Sequence, residues 1–351
     1  FLASQGAKHR YYYKLLLKLN CNGFAISSSF LISFYNFYRK RFVRPVIREE
    51  ITMEDLVRLA KIQNELTPAD ITISVVIPNY NYERFMYQRL YSILSQHQKL
   101  NEIIILDDCS TDDSRKLITE IVDKLSPYIN IRKVYNETNS GSAFKQWQKG
   151  FSLAKSDYVW IAEADDYCSE DLLDYLVKPL KKYNDVMISY SDTAFIDVFG
   201  NITLKSIKSE IDIQKSGHWN KSYVNDGLSE IKDYSYLNCT IANVSSCLIK
   251  NGDYNKYLEK SGSYKQAGDW LFYVNIMRKG KIAYCNKALN YYRVHGNNVS
   301  STMNRKKHIA EINKIHSYYC KEFNLDEHHK EMMQKRVDFL KECWKVGEDN
   351  E

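Results

Sequence analysis

A chain of 351 residues, 44% of them hydrophobic, can bury a full core, which excludes a disordered or fibrous molecule and points to one large domain with attachments. The formal charge of +6 is a small surplus for that length, and no Lys/Arg run is long enough to track a phosphate backbone, so nucleic acid is not expected as a partner. The eight cysteines form no CxxC pair and no His/Cys cluster of zinc spacing, usage that suits a reducing compartment. With no cleavable signal peptide ahead of the fold, a cytoplasmic location is expected. Because the chain opens on Phe1 rather than Met, it is expected to be a segment of a longer multidomain protein.

Composition divides the chain into a helical extension over 1–69, a core over 70–301 and further helices over 302–351. Within the core, 70–197 alternates short apolar runs with amphipathic ones. Ile73 to Ile77 is a β-branched run that Pro78, lacking an N–H, is expected to end. Glu102 to Leu106, Ile131 to Tyr135 and Tyr158 to Ala162 follow as strands, with helices after Asp112, through Trp147 and after Ser169. Strands alternating with helices predict right-handed βαβ units and an α/β fold with a mostly parallel sheet flanked by helices. Ligands of such sheets bind beyond the carboxyl ends of the strands.

Three of those carboxyl-end loops carry unusual side chains: Pro78 to Asn81, then Asp107 and Asp108, then Glu163 to Asp166. Asp112 reads as a helix cap; Asp107 fits capping less well. A carboxylate at a strand end can accept from the imide or ribose hydroxyls of a uridine, and Tyr80 offers a face for base stacking. Glu163, Asp165 and Asp166 gather charge beside an apolar strand. That is costly without a cation, and Mg2+ or Mn2+ held by one or two carboxylates plus diphosphate oxygens would offset it; an acidic cap for the next helix is the simpler alternative. No G-x-G-x-x-G turn and no G-x-x-x-x-G-K-[ST] loop is present, which removes a dinucleotide-binding domain and a P-loop.

The runs Ser74 to Asn81, Ile105 to Asp112, Asn139 to Ser142 and Trp160 to Asp166 together resemble the family 2 glycosyltransferases, inverting enzymes of the GT-A fold, from about Ile71 to Ser301. The resemblance implies nucleotide contacts at Pro78, Tyr80, Asp107, Asp108, Gly141 and Glu163, and a metal ligand at Asp165 in a DxD-like motif whose first acid is Glu163. It implies a catalytic base at Asp269, where Gly268 replaces the acid often found before it. Asp269 standing alone would be an acid in a helix's first turn. Tyr291 to His295 matches a late motif whose His completes the metal site, so His295 is a second expected ligand; Arg293 could meet phosphate or pair with a carboxylate.

The implied reaction moves a sugar from a nucleotide diphosphate-sugar, UDP favoured over dTDP, to a hydroxyl of a glycan or lipid-linked acceptor in bacterial surface-polysaccharide synthesis, with Mn2+ or Mg2+ as cofactor. A sugar-1-phosphate nucleotidyltransferase would need a Gly-rich, Arg-bearing loop after the first strand, which Pro78 to Tyr82 is not; a non-catalytic scaffold is the other alternative. Residues 198–301 are expected to build the acceptor half. Phe24 to Tyr38, followed by Arg39 to Arg41, is too short and Ser-interrupted to span a bilayer. A packed helical hairpin is the simpler reading, and an interfacial helix giving peripheral membrane association is the alternative. Arg305 to Val346 has the periodicity of amphipathic helices, with His328 and His329 on a solvated face.

Overall fold

A computed structural model describes residues 46–47, 50–296 and 304–346. The Phe24 to Arg41 stretch lies outside them. Four strands form in the expected order: β1 (Ile73–Asn79), β2 (Glu102–Asp107), β3 (Ile131–Tyr135) and β4 (Tyr158–Ile161). They are joined by helices α2 (Glu83–Leu94), α3 (Ser114–Leu125) and α4 (Ala143–Leu153), which α1 (Met53–Glu65) precedes. After them come β5 (Tyr167–Cys168), α5 (Leu172–Leu180), β6 (Val186–Ile196), β7 (Ile202–Leu204), α6 (Lys208–Ile211), β8 (Tyr223–Asp226) and α7 (Gly227–Glu230). The chain continues through β9 (Cys247–Lys250), α8 (Asn255–Ser261), α9 (Gly268–Met277) and β10 (Lys281–Arg293) to α10 (Arg305–Phe323) and α11 (Glu327–Trp344).

The sheet runs β3-β2-β1-β4-β9-β6-β10-β5, with β7 beside β6 and β8 beside β10. β1 pairs in parallel with β2 and β4, β2 with β3, and β6 with β10. β9 is antiparallel to both β4 and β6, so β6 and β10 point the same way as β1 to β4. The carboxyl ends of six strands therefore face one side. The order reverses at β1, whose neighbours are β2 and the later β4, and that reversal opens the crevice where α/β sheets bind ligands.

Alternation along the central strands divides the core between the two faces. Val76, Ile104, Leu106, Val159 and Ile161 pack with α4, α9, α10 and α11, while Val75, Ile77, Ile103, Ile105 and Trp160 pack with α1, α2, α3 and α5. Strands buried on both faces read as unbroken apolar runs, which is why they were legible. The expected end of β1 at Ile77 is corrected: the strand continues through Pro78, paired with Leu106, to Asn79. Val76 faces β4, where its carbonyl accepts from Ala162, and Pro78 has the same parity; β4's pairing has ended at Ile161, so the missing N–H falls where no ladder partner exists.

The flanking helices are built into these cores. α1, within the 1–69 extension, buries Leu56, Leu59 and Ala60, and α10, within 302–351, buries Ile309, Ile312, Ile315 and Tyr319.

Candidate active site

The loop after β1 turns sharply at Asn81, whose φ of 58° is a left-handed conformation that Asn tolerates. Its side-chain oxygen accepts from the Thr111 amide at 2.7 Å, and its own amide donates to the Ser110 hydroxyl at 2.9 Å. The loops after β1 and β2 are thereby stapled together. Asp112 accepts from Ser114 at 3.0 Å and from Glu83 at 3.2 Å, so it serves the first residues of α3 and α2 at once.

Asp107 and Asp108 part company. Asp107 is fully buried and receives hydrogen bonds from Arg115 at 2.7 Å, Asn79 at 2.9 Å and the Ser110 amide at 3.1 Å. Burial raises its pKa, but these donors outweigh burial and hold it below the usual carboxylate value. It does not border the cleft, so the expected nucleotide contact at Asp107 is corrected to a brace beneath the loop. Asp108 does border the cleft while accepting from the Ser140 amide at 2.9 Å and hydroxyl at 2.7 Å and from Asn136 at 2.6 Å. These bonds shape the 136–142 loop, in which Gly141 has φ 65°, a value that favours glycine.

The cleft has two adjoining chambers of about 400 and 590 Å³. Pro78, Tyr80, Asp108 and Asp165 line the first, Asp269 the second, and Gly141, Ser142, Glu163, Asn243 and Tyr292 form a wall common to both. Tyr80 is 43% exposed at the mouth, as a base-stacking ring would be. The structure thus brings Asp108, Glu163, Asp165 and Asp269 to one crevice. A further hollow around Lys208 and Asp192 holds none of them.

At the end of β4, Asp166 is an internal hub, accepting from Ser245 at 2.6 Å, Asn243 at 2.9 Å and the Arg293 amide at 3.2 Å. Burial, then the neighbouring Asp165 charge, raises its pKa. Glu163 accepts from the Trp147 indole at 2.7 Å; burial first and Asp165 second push it up to about 8. Asp165 borders the first chamber and pairs with His295 Nε2 at 2.9 Å, and the Tyr82 hydroxyl hydrogen-bonds it as well. The His295 side chain is 1% exposed, its ring 5.5 Å from that of Tyr82 and 5.7 Å from that of Phe85.

Arg293 requires a second correction. It is fully buried and its guanidinium donates to the Asp165 carbonyl at 2.7 Å, Gln88 at 2.9 Å and the Val198 carbonyl at 3.3 Å. It lines neither chamber; through these bonds it fixes the backbone of the acidic motif. A positive charge in a motif does not say which acceptor will consume it.

Among the described residues, the one group of three His, Cys, Asp or Glu side chains with ligand atoms within reach of one another is His97, Asp171 and Asp174, which lies outside both chambers. Asp165 and His295 are a pair, not a closed cage. Such a pair fits a magnesium- or manganese-type ion that completes its shell with diphosphate oxygens and water. An ion there would favour the charged forms of Glu163 and Asp166, whose pKa values burial and the Asp165 charge raise.

Asp269 stands in the first turn of α9, where its carboxylate accepts from the Trp270 amide at 2.8 Å. Burial pushes its pKa up to about 6. The glycine before it has a steric cause: a Cβ at Gly268 would lie 2.4 Å from the Ser261 carbonyl and 2.8 Å from the Phe144 ring. An acid there has no room.

Residues 74–238 match the family model described as glycosyl transferase family 2. That stretch, just under half of the chain, carries the likeness to the family. Among its relatives, an uncharacterized glycosyltransferase of Haemophilus influenzae is 31% identical over 141 residues, 40% of this chain and 54% of that one. The chain therefore spans only about half the length of that relative. The Escherichia coli UDP-Glc:alpha-D-GlcNAc-diphosphoundecaprenol beta-1,3-glucosyltransferase WfaP is 26% identical over 259 residues, 74% of this chain and 89% of WfaP. The crystal structure of S. aureus TarS 1-349 superposes with a TM-score of 0.56 at 17% identity, covering 80% of this chain and 76% of that one, which shows a shared GT-A fold.

The side chains of this cleft missed from sequence are Tyr82, Asn243, Ser245 and Tyr292. Tyr82 lies two residues past Tyr80 in the same loop and could have been weighed. Asn243, Ser245 and Tyr292 reach Glu163 and Asp166 across roughly eighty residues or more, and no local spacing signals that meeting.

Proposed function

We propose that the chain is an inverting glycosyltransferase that moves a sugar from a UDP-sugar, in preference to a dTDP-sugar, to a hydroxyl of a glycan or lipid-linked acceptor in surface-polysaccharide synthesis. The work would take place in the cytoplasm or at the inner face of the membrane. The observation that carries the reading is the cleft itself: Asp108, Tyr80 and Asp165 line one chamber and Asp269 the adjoining one, across a wall both share. A donor with its nucleotide in the first chamber would present its anomeric carbon toward Asp269.

Asp269 would take the proton of the acceptor hydroxyl as that oxygen attacks the anomeric carbon. The bond to the diphosphate breaks on the opposite face and its electron pair leaves with the nucleoside diphosphate. General-base help of this kind is worth about 10² to 10⁴ in rate. A Mn2+ or Mg2+ ion held at Asp165, with His295 beside it, would offset the charge of the leaving diphosphate. Arg293 and Asp166 keep the Asp165 segment in place, and Trp147 does the same for Glu163.

Relatives support the coarser choices. TarS has been solved in complex with UDP-GlcNAc, in a structure that matches this fold with a TM-score of 0.53, and WfaP is by name a transferase from UDP-Glc to a diphosphoundecaprenol-linked acceptor. A putative teichuronic acid biosynthesis glycosyltransferase of Bacillus subtilis, 34% identical over 102 residues, supports a surface polymer.

The test is a panel of nucleotide-sugars with Mn2+. The true donor at a hundredfold excess over its Kd raises folding stability by about 2.7 kcal/mol, and turnover with it releases nucleoside diphosphate and gives a product of inverted anomeric configuration. A panel in which no member shifts the melt, or a product of retained configuration, rejects the proposal.

A further inference from the structure

The segment that delivers Asp269 to the second chamber, residues 262–267, is neither helix nor strand. Three successive amides in it converge on one side chain. Lys265 N–H donates to Glu311 Oε1 at 2.7 Å, and Gln266 and Ala267 N–H donate to Glu311 Oε2 at 2.9 and 3.0 Å. Hydrogen bonds to an ionised carboxylate are shorter and stronger than neutral ones, so this is a tight clamp for a loop without secondary structure. The carboxylate belongs to α10, outside the 74–238 region that defines the family.

α10 also grips the chain just after Asp269. Trp270 Nε1 donates to the Tyr319 hydroxyl and to the Ser235 carbonyl, each at 2.9 Å. Tyr319 and its neighbour Ile315 are fully buried in the core, so the helix is a rigid anchor. Asp269 thus sits between two attachments to one helix, at 265–267 and at 270. The same helix brings His308 to the chamber wall.

We propose that Glu311 is a positioning residue for Asp269, and that α10 is an integral part of the active site and not an appendage to it. The proposal rests on the reading of Asp269 as the base. A base must reach its proton within hydrogen-bonding distance, and three amides released together would let the 262–267 loop swing Asp269 away from the chamber. Glu311 has a second effect through space. Its charge adds to burial in raising the pKa of Asp269, whose other titratable neighbours are Glu163, Tyr264, Lys265, Tyr273, Tyr292 and His308 around the chamber and the Cys239 thiol behind it.

The experiment uses the full chain with Glu311→Ala, Glu311→Gln and, as a control on the same helix, Glu322→Gln, which loses only an ion pair with Arg278 at the surface. Five quantities are read: amide exchange over 262–269, affinity for UDP with Mn2+, kcat, KM and the pH profile of kcat. Glu311→Ala is expected to speed exchange at Lys265, Gln266 and Ala267 and to lower kcat by about 10- to 100-fold while UDP affinity holds within about 2-fold. Glu311→Gln keeps one acceptor oxygen, so its kcat falls less, and with the charge gone the acid limb of its profile moves to lower pH. Glu322→Gln matches the parent throughout.

A Glu311→Ala protein with parental kcat and parental exchange overturns the proposal, as does a fall in UDP affinity that tracks kcat, which would mean general collapse of the site. If Glu311→Ala melts below the assay temperature, the pH profile of Glu311→Gln decides. If the parent turns over no nucleotide-sugar, it is the reading of Asp269 that fails, and amide exchange still shows whether Glu311 holds the loop.

Discussion

The raised pKa of Asp269 makes a two-sided prediction about pH and about Asp269→Asn. In the unfolded chain this carboxyl titrates near 3.8, and in the fold burial pushes it up to about 6. The shift is upward for an acid, so the penalty is absent below pH 3.8, grows as pH rises, and is complete above pH 6. A difference of about two pKa units corresponds to about 3 kcal/mol at neutral pH, and water at the chamber-facing edge of the carboxylate reduces that to between about 1 and 3 kcal/mol. Asp269→Asn should therefore stabilise the free protein by that amount at pH 7 and by no more than about 0.6 kcal/mol at pH 4, while abolishing turnover and sparing UDP binding. The rate of the parent should follow the ionised fraction, about one tenth of its plateau at pH 5 and about nine tenths at pH 7. Nucleoside diphosphate release gives the rates and urea melts at the two pH values give the stabilities. A flat rate between pH 5 and 7, or an Asn variant that is less stable than the parent at pH 7, refutes the reasoning.

Other substitutions follow from the same geometry. Gly268→Ala places a Cβ against the Ser261 carbonyl and the Phe144 ring, so it should cost about 1 to 3 kcal/mol in a chemical melt and depress kcat more than KM; adding Phe144→Ala relieves only the ring and should not restore the rate. Arg293→Met removes the buried donor to the Asp165 and Val198 carbonyls and should destabilise the free protein by about 3 to 5 kcal/mol, read by denaturant titration; a phosphate-contact role would instead weaken nucleotide binding and leave the melt unmoved. Asp107→Asn should act on stability in the same way, because Asp107 serves Arg115 and not the cleft, whereas Asp108→Asn should also change UDP affinity in a titration.

The strands were legible because β1, β2 and β4 are buried on both faces and so are written as largely apolar runs. The acids at their ends were legible because charge beside such a run is improbable without a purpose. What sequence could not divide was that set of charges. Asp107 and Asp108 are adjacent and chemically identical, yet the strand's alternation turns one toward Arg115 and the other toward the chamber. Arg293 looked available for phosphate because the carbonyls it serves, at Asp165 and Val198, are roughly a hundred residues distant. Pro78 appeared to end a strand because its missing N–H matters only where a neighbour is present, and β4 had already stopped. Glu311 gave no signal at all: an acid on the polar side of an amphipathic helix is the commonest surface residue there is, and only the folded chain brings three amides of residues 265–267 to it.

The central claim is that Asp165 serves a divalent ion against a nucleoside diphosphate. Calorimetric titration of UDP into the parent and into Asp165→Ala, each with Mn2+ and with chelator, tests it directly. The parent should bind UDP more tightly with Mn2+ than with chelator, and Asp165→Ala should bind it weakly and equally in both. Equal affinity of the parent in the two conditions, or an Asp165→Ala protein that keeps the full response to Mn2+, would contradict the account.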